Sequence, residues 1–384
     1  MVRINIDEKL RRLHQKTYGP AIRKMLNALY EIGDKDEMQA LLVCAGVSIA
    51  EAGEIAQAAV SCEAKGYLDI FRKAQSGDPD EIDKSILTGP VEYLVDLMAQ
   101  EAALRCRWYG KYDAQIDVVK DMLLRVFDYD AFRDGKTVEF KDGQGLVWHS
   151  HVAHKSQWGG YQFIKGLNVS ICPYCGADTV YAFEIKEVSK TPVRKKLSLR
   201  YVPHKSALDH YYSHEEYPYL GMSLYNLVPC CFRCNSQLKN QSQMIWQYHA
   251  HPYVDSVHDV LRFHVSRVDC DKIRSKDGDD DYEMNLIPRY LGGKRAESNR
   301  AMHLMQDVFQ TDAIYHDLFA NDVRNVLYKL ATITENSEDW YAKLLKMDRH
   351  LLWGFDLDAN RILENRFGKL TIDLVDEWPS VVAM

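Results

Sequence analysis

The sequence predicts an α+β protein, mostly helical, with a small strand-containing module at its centre. Three observations predict it. Apolar residues recur at three- and four-residue spacing over residues 1 to about 134 and again over 296 to 350. From about 135, short runs rich in β-branched and aromatic residues take over. Two Cys-x-x-Cys pairs, at 172–175 and 231–234, lie inside that central stretch. The expected organisation is therefore a helical scaffold or partner-docking domain over 1–134, a module over 135–250, and a mixed, mostly helical region over 251–384.

In chain order, AIRKMLNALYEI, EMQALLVCAGVSIAEAGEIAQAAV, VEYLVDLMAQEAALRCRWYG and AQIDVVKDMLLRVF carry the helical spacing. SGDPDEIDKS is a polar break that turns the chain or caps the next helix. KTVEF, GLVWHSHV, TVYAFEIKEV and KKLSLRYVP read as strands, and a helix is expected through SQLKNQSQMIWQYH after Asn235. VLRFHVSRV is a further strand, followed by the acidic loop SKDGDDDYE. That loop is not a calcium loop: counted from Asp277, the sixth position is Tyr282 where a glycine is required. SNRAMHLMQDVF and DVRNVLYKLATI return to helix, and the chain closes on GKLTIDLVDEW. No phosphate loop, dinucleotide fingerprint or repeat is present.

Composition is that of an ordinary globular chain, 384 residues with 46% hydrophobic and 27% charged. The first residues, MVRINIDEKLRRLHQ, have no apolar core, so no secretory signal is expected. The longest apolar stretch is broken by two glutamates and two glycines and is no membrane span, which needs about 20 predominantly apolar residues. A cytoplasmic protein follows as the expectation, and disulfides are rare there. Cys44, Cys62, Cys106 and Cys270, scattered among apolar or amphipathic runs, read as small core residues. Net charge is −7, which argues against general nucleic-acid binding. Residues 165–245 nevertheless hold ten Lys or Arg against six Asp or Glu, a balance of +4 that leaves −11 for the rest. A confined anion-binding surface and an ordinary solvated face both fit that island.

CPYC and CFRC are separated by 55 residues. Four thiolates suit tetrahedral zinc, and Cys172, Cys175, Cys231 and Cys234 are the expected ligands of a structural site with no open position. A redox pair is the competing reading, but it needs a βαβ setting that is missing here and does not explain two pairs. Cys230 breaks the x-x spacing and reads as a bystander.

Around these pairs run CPYCG, then DHYY with YP, then NLVP, then C-x-x-C-N with a lysine soon after. Over roughly residues 165–245 this order resembles the HNH endonucleases, specifically their zinc-stabilised ββα-metal, treble-clef subset. NRFGKLTIDL also resembles the end of bacterial HNH proteins of the antiphage-defence type, such as the nuclease partner in Septu-like systems. The resemblance implies hydrolysis of phosphodiester bonds in nucleic acid, DNA before RNA, with zinc as structural and Mg²⁺ or Mn²⁺ as catalytic ion. A histidine of ordinary pKa, about 6.5, can take a proton from water at neutral pH, which makes His210 the general base. Asp209 and the side-chain oxygen of Asn235 would be the Mg²⁺ ligands, since such an ion uses one or two protein ligands plus phosphate and water. Asn226 would tie down the loop carrying His210. Lys239, four residues past Asn235 on a helix, would reach a substrate phosphate. Ser213 and Asn240 stand where the family often has proline and glycine, and neither replaces a ligand or the base.

Between Cys175 and Asp209 the insertion carries Lys186, Lys190, Arg194, Lys195, Lys196, Arg200 and Lys205, which on a long hairpin would track a phosphate backbone. Tyr211, Tyr212, Tyr217 and Tyr219 read as packing rather than base-stacking residues. His149, His151, His154, His249 and His251 read as surface or groove histidines; His204 and His214 flank the candidate site with no spacing that selects them. A separate ATPase or regulatory defence subunit is the protein partner the resemblance implies, a homo-oligomer is compatible with it, and no membrane is expected. The rival readings are a non-catalytic zinc module that binds nucleic acid, a partner scaffold, and a nuclease acting on RNA such as tRNA.

Overall fold

The computed structural model describes residues 3–381 apart from 45–47, 109, 136–138, 142–146, 150–157, 191–196, 241, 276–280, 290–292, 336–352, 354 and 356. It is a mixed α+β protein, mostly helical, with small antiparallel sheets. The chain divides into two compact units that interleave in sequence. One comprises Asn5–Leu167 and Ala182–Val228; the other comprises Met1–Ile4, Asn168–Tyr181 and Pro229–Met384. The expected central module, 135–250, is thus shared between the two. No helix among the described residues is long and apolar enough to cross a membrane.

In the first unit, α1 (Glu8–Glu31) starts at Asp7, whose carboxylate accepts from the Lys9 amide at 2.9 Å. Its buried face is Tyr18, Ile22, Met25, Leu26 and Leu29, the three- and four-residue spacing read from the sequence. The long apolar stretch forms a helical pair, α2 (Lys35–Cys44) and α3 (Ile49–Ala59). A helix unanticipated from the sequence, α4 (Cys62–Ala74), follows at once, capped by Ser61 Oγ accepting from Ala64 N at 3.1 Å. After the polar break come α5 (Val91–Trp108), α6 (Asp113–Val126) and the short α7 (Tyr129–Asp134). Leu26, Phe71, Leu94, Val119, Leu123 and Val126 are fully buried at its core. One carboxylate, Glu101, sits in that core and is matched by the Tyr67 and Tyr219 hydroxyls at 2.5 and 2.7 Å.

Of the four cysteines expected as core residues, two depart from that reading, Cys270 is half-buried, and the side chain of Cys44 lies outside the described residues. Cys62, at the first position of α4, and Cys106, in the last turn of α5, are exposed, because helical phase points them outward. Strands β1 (Glu139–Lys141) and β2 (Val147–His149) form a small ribbon, and α8 (Gly160–Leu167) follows. The insertion is a nine-pair antiparallel hairpin, β3 (Ala182–Lys190) with β4 (Leu197–Lys205). Then β5 (Ala207–His210) pairs with β6 (Leu227–Cys230), the strand on which the chain passes into the other unit.

In the second unit, β7 (Leu261–Val268) pairs with β8 (Tyr282–Pro288), and α9 (Cys270–Ser275) connects them. Helices α10 (Arg295–Met302), α11 (Ala320–Glu335) and α12 (Gly368–Val381) complete it. A two-stranded ribbon leaves two edges of unpaired amides, and side chains accept from amides on both. On α12, Lys369, Asp373 and Glu377 recur every four residues and run along β7. Lys369 Nζ donates to Leu261 O at 2.7 Å, Asp373 accepts from Phe263 N at 3.0 Å, and Glu377 accepts from Val265 N at 3.2 Å. Across the ribbon, Asp312 accepts from Leu286 N at 2.9 Å.

Asp373 also neutralises two cations, Lys369 at 2.7 Å and Arg289. Burial first, and the charge of Arg289 after it, push the Lys369 pKa below its ordinary value, so the ammonium depends on Asp373. Replacing Asp373 with Asn keeps the volume and removes the charge. A loss of about 3–5 kcal/mol is expected, the cost of stranding buried cations. Urea unfolding measures it, and an unchanged midpoint would mean the network contributes no net stability.

Candidate functional site

Both Cys-x-x-Cys pairs belong to the second unit, and their four sulfurs come together. Sγ of Cys172, Cys175, Cys231 and Cys234 all lie within 4.8 Å of one another, and all four residues are buried. Tetrahedral zinc with bonds of about 2.3 Å sets its sulfurs about 3.8 Å apart, so the donor set fits that ion. Each pair is built as a turn that aims a backbone amide at a sulfur. Asp178 N points to Cys175 Sγ at 3.5 Å, and Cys234 N to Cys231 Sγ at 3.4 Å. In the first turn Gly176 has φ +68°, a left-handed conformation suited to glycine, and its amide closes on Cys172 O at 2.9 Å.

The sulfurs also hydrogen-bond one another. The bond from Cys172 holds Cys175 well below the ordinary thiol pKa and Cys231 down to about 7. Burial pushes Cys172 up, and its hydrogen bond with Cys172 pushes Cys234 up. Cys230 is buried but is not one of the four.

The first turn is held from outside by the C-terminal third of the chain, including Arg366 and Phe367 of the NRFGKLTIDL stretch. Tyr315 Oη donates to Cys175 O at 2.8 Å, Phe367 N to Gly176 O at 3.1 Å, and Arg366 Nε to Ala177 O at 3.1 Å. Three successive carbonyls are thereby satisfied. Arg233, inside the second pair, reaches Asp178, three residues past the first, at 2.7 Å.

After Cys231 the chain does not form the helix expected over SQLKNQSQMIWQYH. It forms a seven-residue π-helix, Arg233–Lys239, that starts before Asn235 and stops at Asn240, where φ is +43°. The cysteine turn fixes its start, and the polar run Asn240–Gln243 offers no apolar face to extend it. Asn235 is partly exposed: its amide donates to Cys231 O at 3.1 Å, its Nδ2 to Ser236 Oγ at 3.3 Å, and Cys230 Sγ lies 4.0 Å from its Oδ1. Lys239 is buried rather than on an open face.

Asp209, His210 and Asn226 belong to the first unit. His210 ends β5, and its Nε2 is 3.0 Å from Gly221 O. A carbonyl can only accept, so the ring proton is on Nε2 and the basic lone pair on Nδ1. Asn226, fully buried, clamps the loop between them. Its Oδ1 accepts from Tyr212 N at 2.7 Å, while its Nδ2 donates to Tyr212 O at 3.0 Å and Leu220 O at 3.1 Å. Gly221 permits close approach: a Cβ there would lie 3.1 Å from Phe127 O and 3.2 Å from Pro218 O. Asp209, one residue before His210, is buried at 5% exposure.

Two rings that motif reading did not select flank His210. Tyr129 of α7 lies edge-on with centroids 4.4 Å apart, and His214 lies at 4.4 Å with planes 30° apart. Tyr211, Tyr212 and Tyr219 are buried as packing residues. Of the insertion's basic residues, Lys186 is exposed and Arg200 stands opposite Glu187 in the hairpin register. Arg194, Lys195 and Lys196 fall outside the described residues, as do His151 and His154. Lys205 is only half-exposed at the foot of the hairpin, where burial first and Arg133 second lower its pKa. His251, expected at the surface, is instead fully buried, which drops its pKa to about 3; the turn that follows it takes its Nδ1 as an acceptor for Tyr253 N. Comparison with known proteins finds no match: no family model, no curated protein and no solved structure is similar enough to place the chain in a family.

Proposed function

We propose that the chain is a metal-dependent nuclease of the HNH type, hydrolysing phosphodiester bonds of nucleic acid, with DNA the first substrate to test. The observation that carries this reading is the state of His210. Its imidazole is locked by Gly221 O in the tautomer that leaves Nδ1 basic, on a loop pinned by the buried Asn226 side chain. An imidazole so fixed is suited to general-base work. Nδ1 takes a proton from a water, the water oxygen bonds to phosphorus, and the bond to the leaving sugar oxygen breaks. Asp209, the residue before His210 in β5, would supply a hard oxygen to Mg²⁺ or Mn²⁺, which requires few protein ligands because phosphate and water complete its shell. When bound, such an ion polarises the phosphate and stabilises the leaving oxygen. The four-cysteine centre is a separate, structural element with no position left for water. Lys186, together with Arg194, Lys195, Lys196 and Arg200, supplies positive charge for a phosphate backbone.

The test is incubation of the purified protein with plasmid, single-stranded DNA and tRNA after EDTA treatment, with and without added Mg²⁺ or Mn²⁺. Metal-dependent nicking or linearisation of plasmid is expected. Retention of nucleic acid without any product would favour a binding module, and product from tRNA alone would move the substrate to RNA.

A further inference from the structure

We propose that His214 is a second catalytic histidine, donating a ring N–H to a non-bridging oxygen of the phosphodiester at the His210 site. This rests on the nuclease reading above and adds to it a group that directly contacts substrate. The loop returns His214 over His210: Tyr217 N bonds Ser213 O at 2.8 Å, and the two imidazoles lie 4.4 Å apart with planes 30° from parallel. Tyr129 packs against His210 at 4.4 Å and lies 6.3 Å from His214, so the three rings form one cluster.

A core histidine of this unit behaves differently. His14 is fully buried and both its nitrogens are engaged, by Met222 O at 2.8 Å and Trp158 Nε1 at 2.9 Å. His214 is partly exposed, and no hydrogen bond reaches its ring nitrogens among the described residues. Its ring therefore has donor capacity to spend on a ligand.

Geometry decides which role that donor can take. In an in-line displacement the attacking and leaving oxygens stand on opposite sides of phosphorus. A ring packed within 4.4 Å of the general base is on the attacking side, so His214 is not placed to protonate the leaving oxygen. It is placed to hydrogen-bond an equatorial oxygen, where negative charge grows in the transition state. A neutral imidazole carries one N–H, so this role requires no protonation of the pair.

Two substitutions separate a donor from a packing ring. His214→Phe keeps the stack and removes both nitrogens; His214→Gln keeps a donor and removes the ring. Removing one donor aimed at developing charge slows turnover by about 10²–10³-fold, and that loss is expected for His214→Phe in single-turnover cleavage of a duplex with Mg²⁺. Duplex binding without metal should stay within about threefold and the melting temperature should not move, while His214→Gln regains about tenfold over His214→Phe. A readout independent of turnover is the ring resonance of ¹³C-labelled His214, expected to shift when a phosphorothioate duplex is added in EDTA. His214→Phe cutting like the wild type while His210→Ala is inactive would overturn the inference and leave the nuclease reading standing. Equal slowing by both substitutions, or an unmoved His214 resonance, would also overturn it. A wild-type chain that cuts nothing would remove the nuclease reading and this inference with it.

Discussion

Cys231→Ser is expected to release the metal and to unfold much of the second unit, while Cys230→Ser, one residue away, keeps a full complement of zinc. The four sulfurs of the centre lie within 4.8 Å of one another and include Cys231 but not Cys230. Structural zinc contributes about 10–16 kcal/mol of apparent binding energy in isolated zinc modules, and a zinc held by these four sulfurs would stabilise a turn other elements depend on. Tyr315, Arg366 and Phe367 all donate to carbonyls of the Cys175–Ala177 turn. When the turn loosens, those donors lose their acceptors as well. Loss of even about 5 kcal/mol would lower the melting temperature by about 10–20 °C in a unit of this size. Metal analysis should give one zinc per wild-type chain, a value that falls with Cys231→Ser. Affinity should also weaken as pH drops, because every ligand must be a thiolate. Protein purified without zinc and with oxidised cysteine pairs would return the pairs to disulfide chemistry.

That centre was the most legible part of the sequence, because a ligand spacing is a local property and the paired motif survives any arrangement of the rest. Helices with a single apolar face, α1, α5 and α6, were legible for the same reason. α4 was hidden because Ser61, its cap, sits at the end of an apolar run that reads as a buried helix or helical pair ending there. The helix after Asn235 was misread because its winding is set by the cysteine turn rather than by side-chain periodicity. Spatial relations between distant segments left no local trace. Lys369, Asp373 and Glu377 look like ordinary surface charges on a helix until β7 is placed against them. His214 carried no signal because only the return of its loop puts it against His210. The interleaving of the two units was likewise invisible, since sequence order is not contact order.

His210→Ala should reduce cleavage by about 10²–10⁴-fold, the range supplied by general acid–base groups, without loss of zinc or of melting temperature. The side chain is half-exposed at a strand end, and the hydrogen bond from its Nε2 to Gly221 O is worth only about 1 kcal/mol. Asn226→Ala is the contrasting case. It strands a buried amide and two buried carbonyls at Tyr212 and Leu220, so it should cost stability as well as activity. The two substitutions therefore separate chemistry from scaffolding. Free imidazole sharpens the test, because truncating His210 leaves a ring-sized space between Tyr129 and His214, each 4.4 Å from the missing ring. Added imidazole should enter it and restore part of the cleavage by His210→Ala, yet do nothing for Asn226→Ala. Full cleavage by His210→Ala, with contaminating nuclease excluded, would remove the imidazole from the mechanism. Loss of cleavage that imidazole cannot rescue, joined to a lowered melting temperature, would recast His210 as a strand-end anchor and leave the general base to be sought elsewhere.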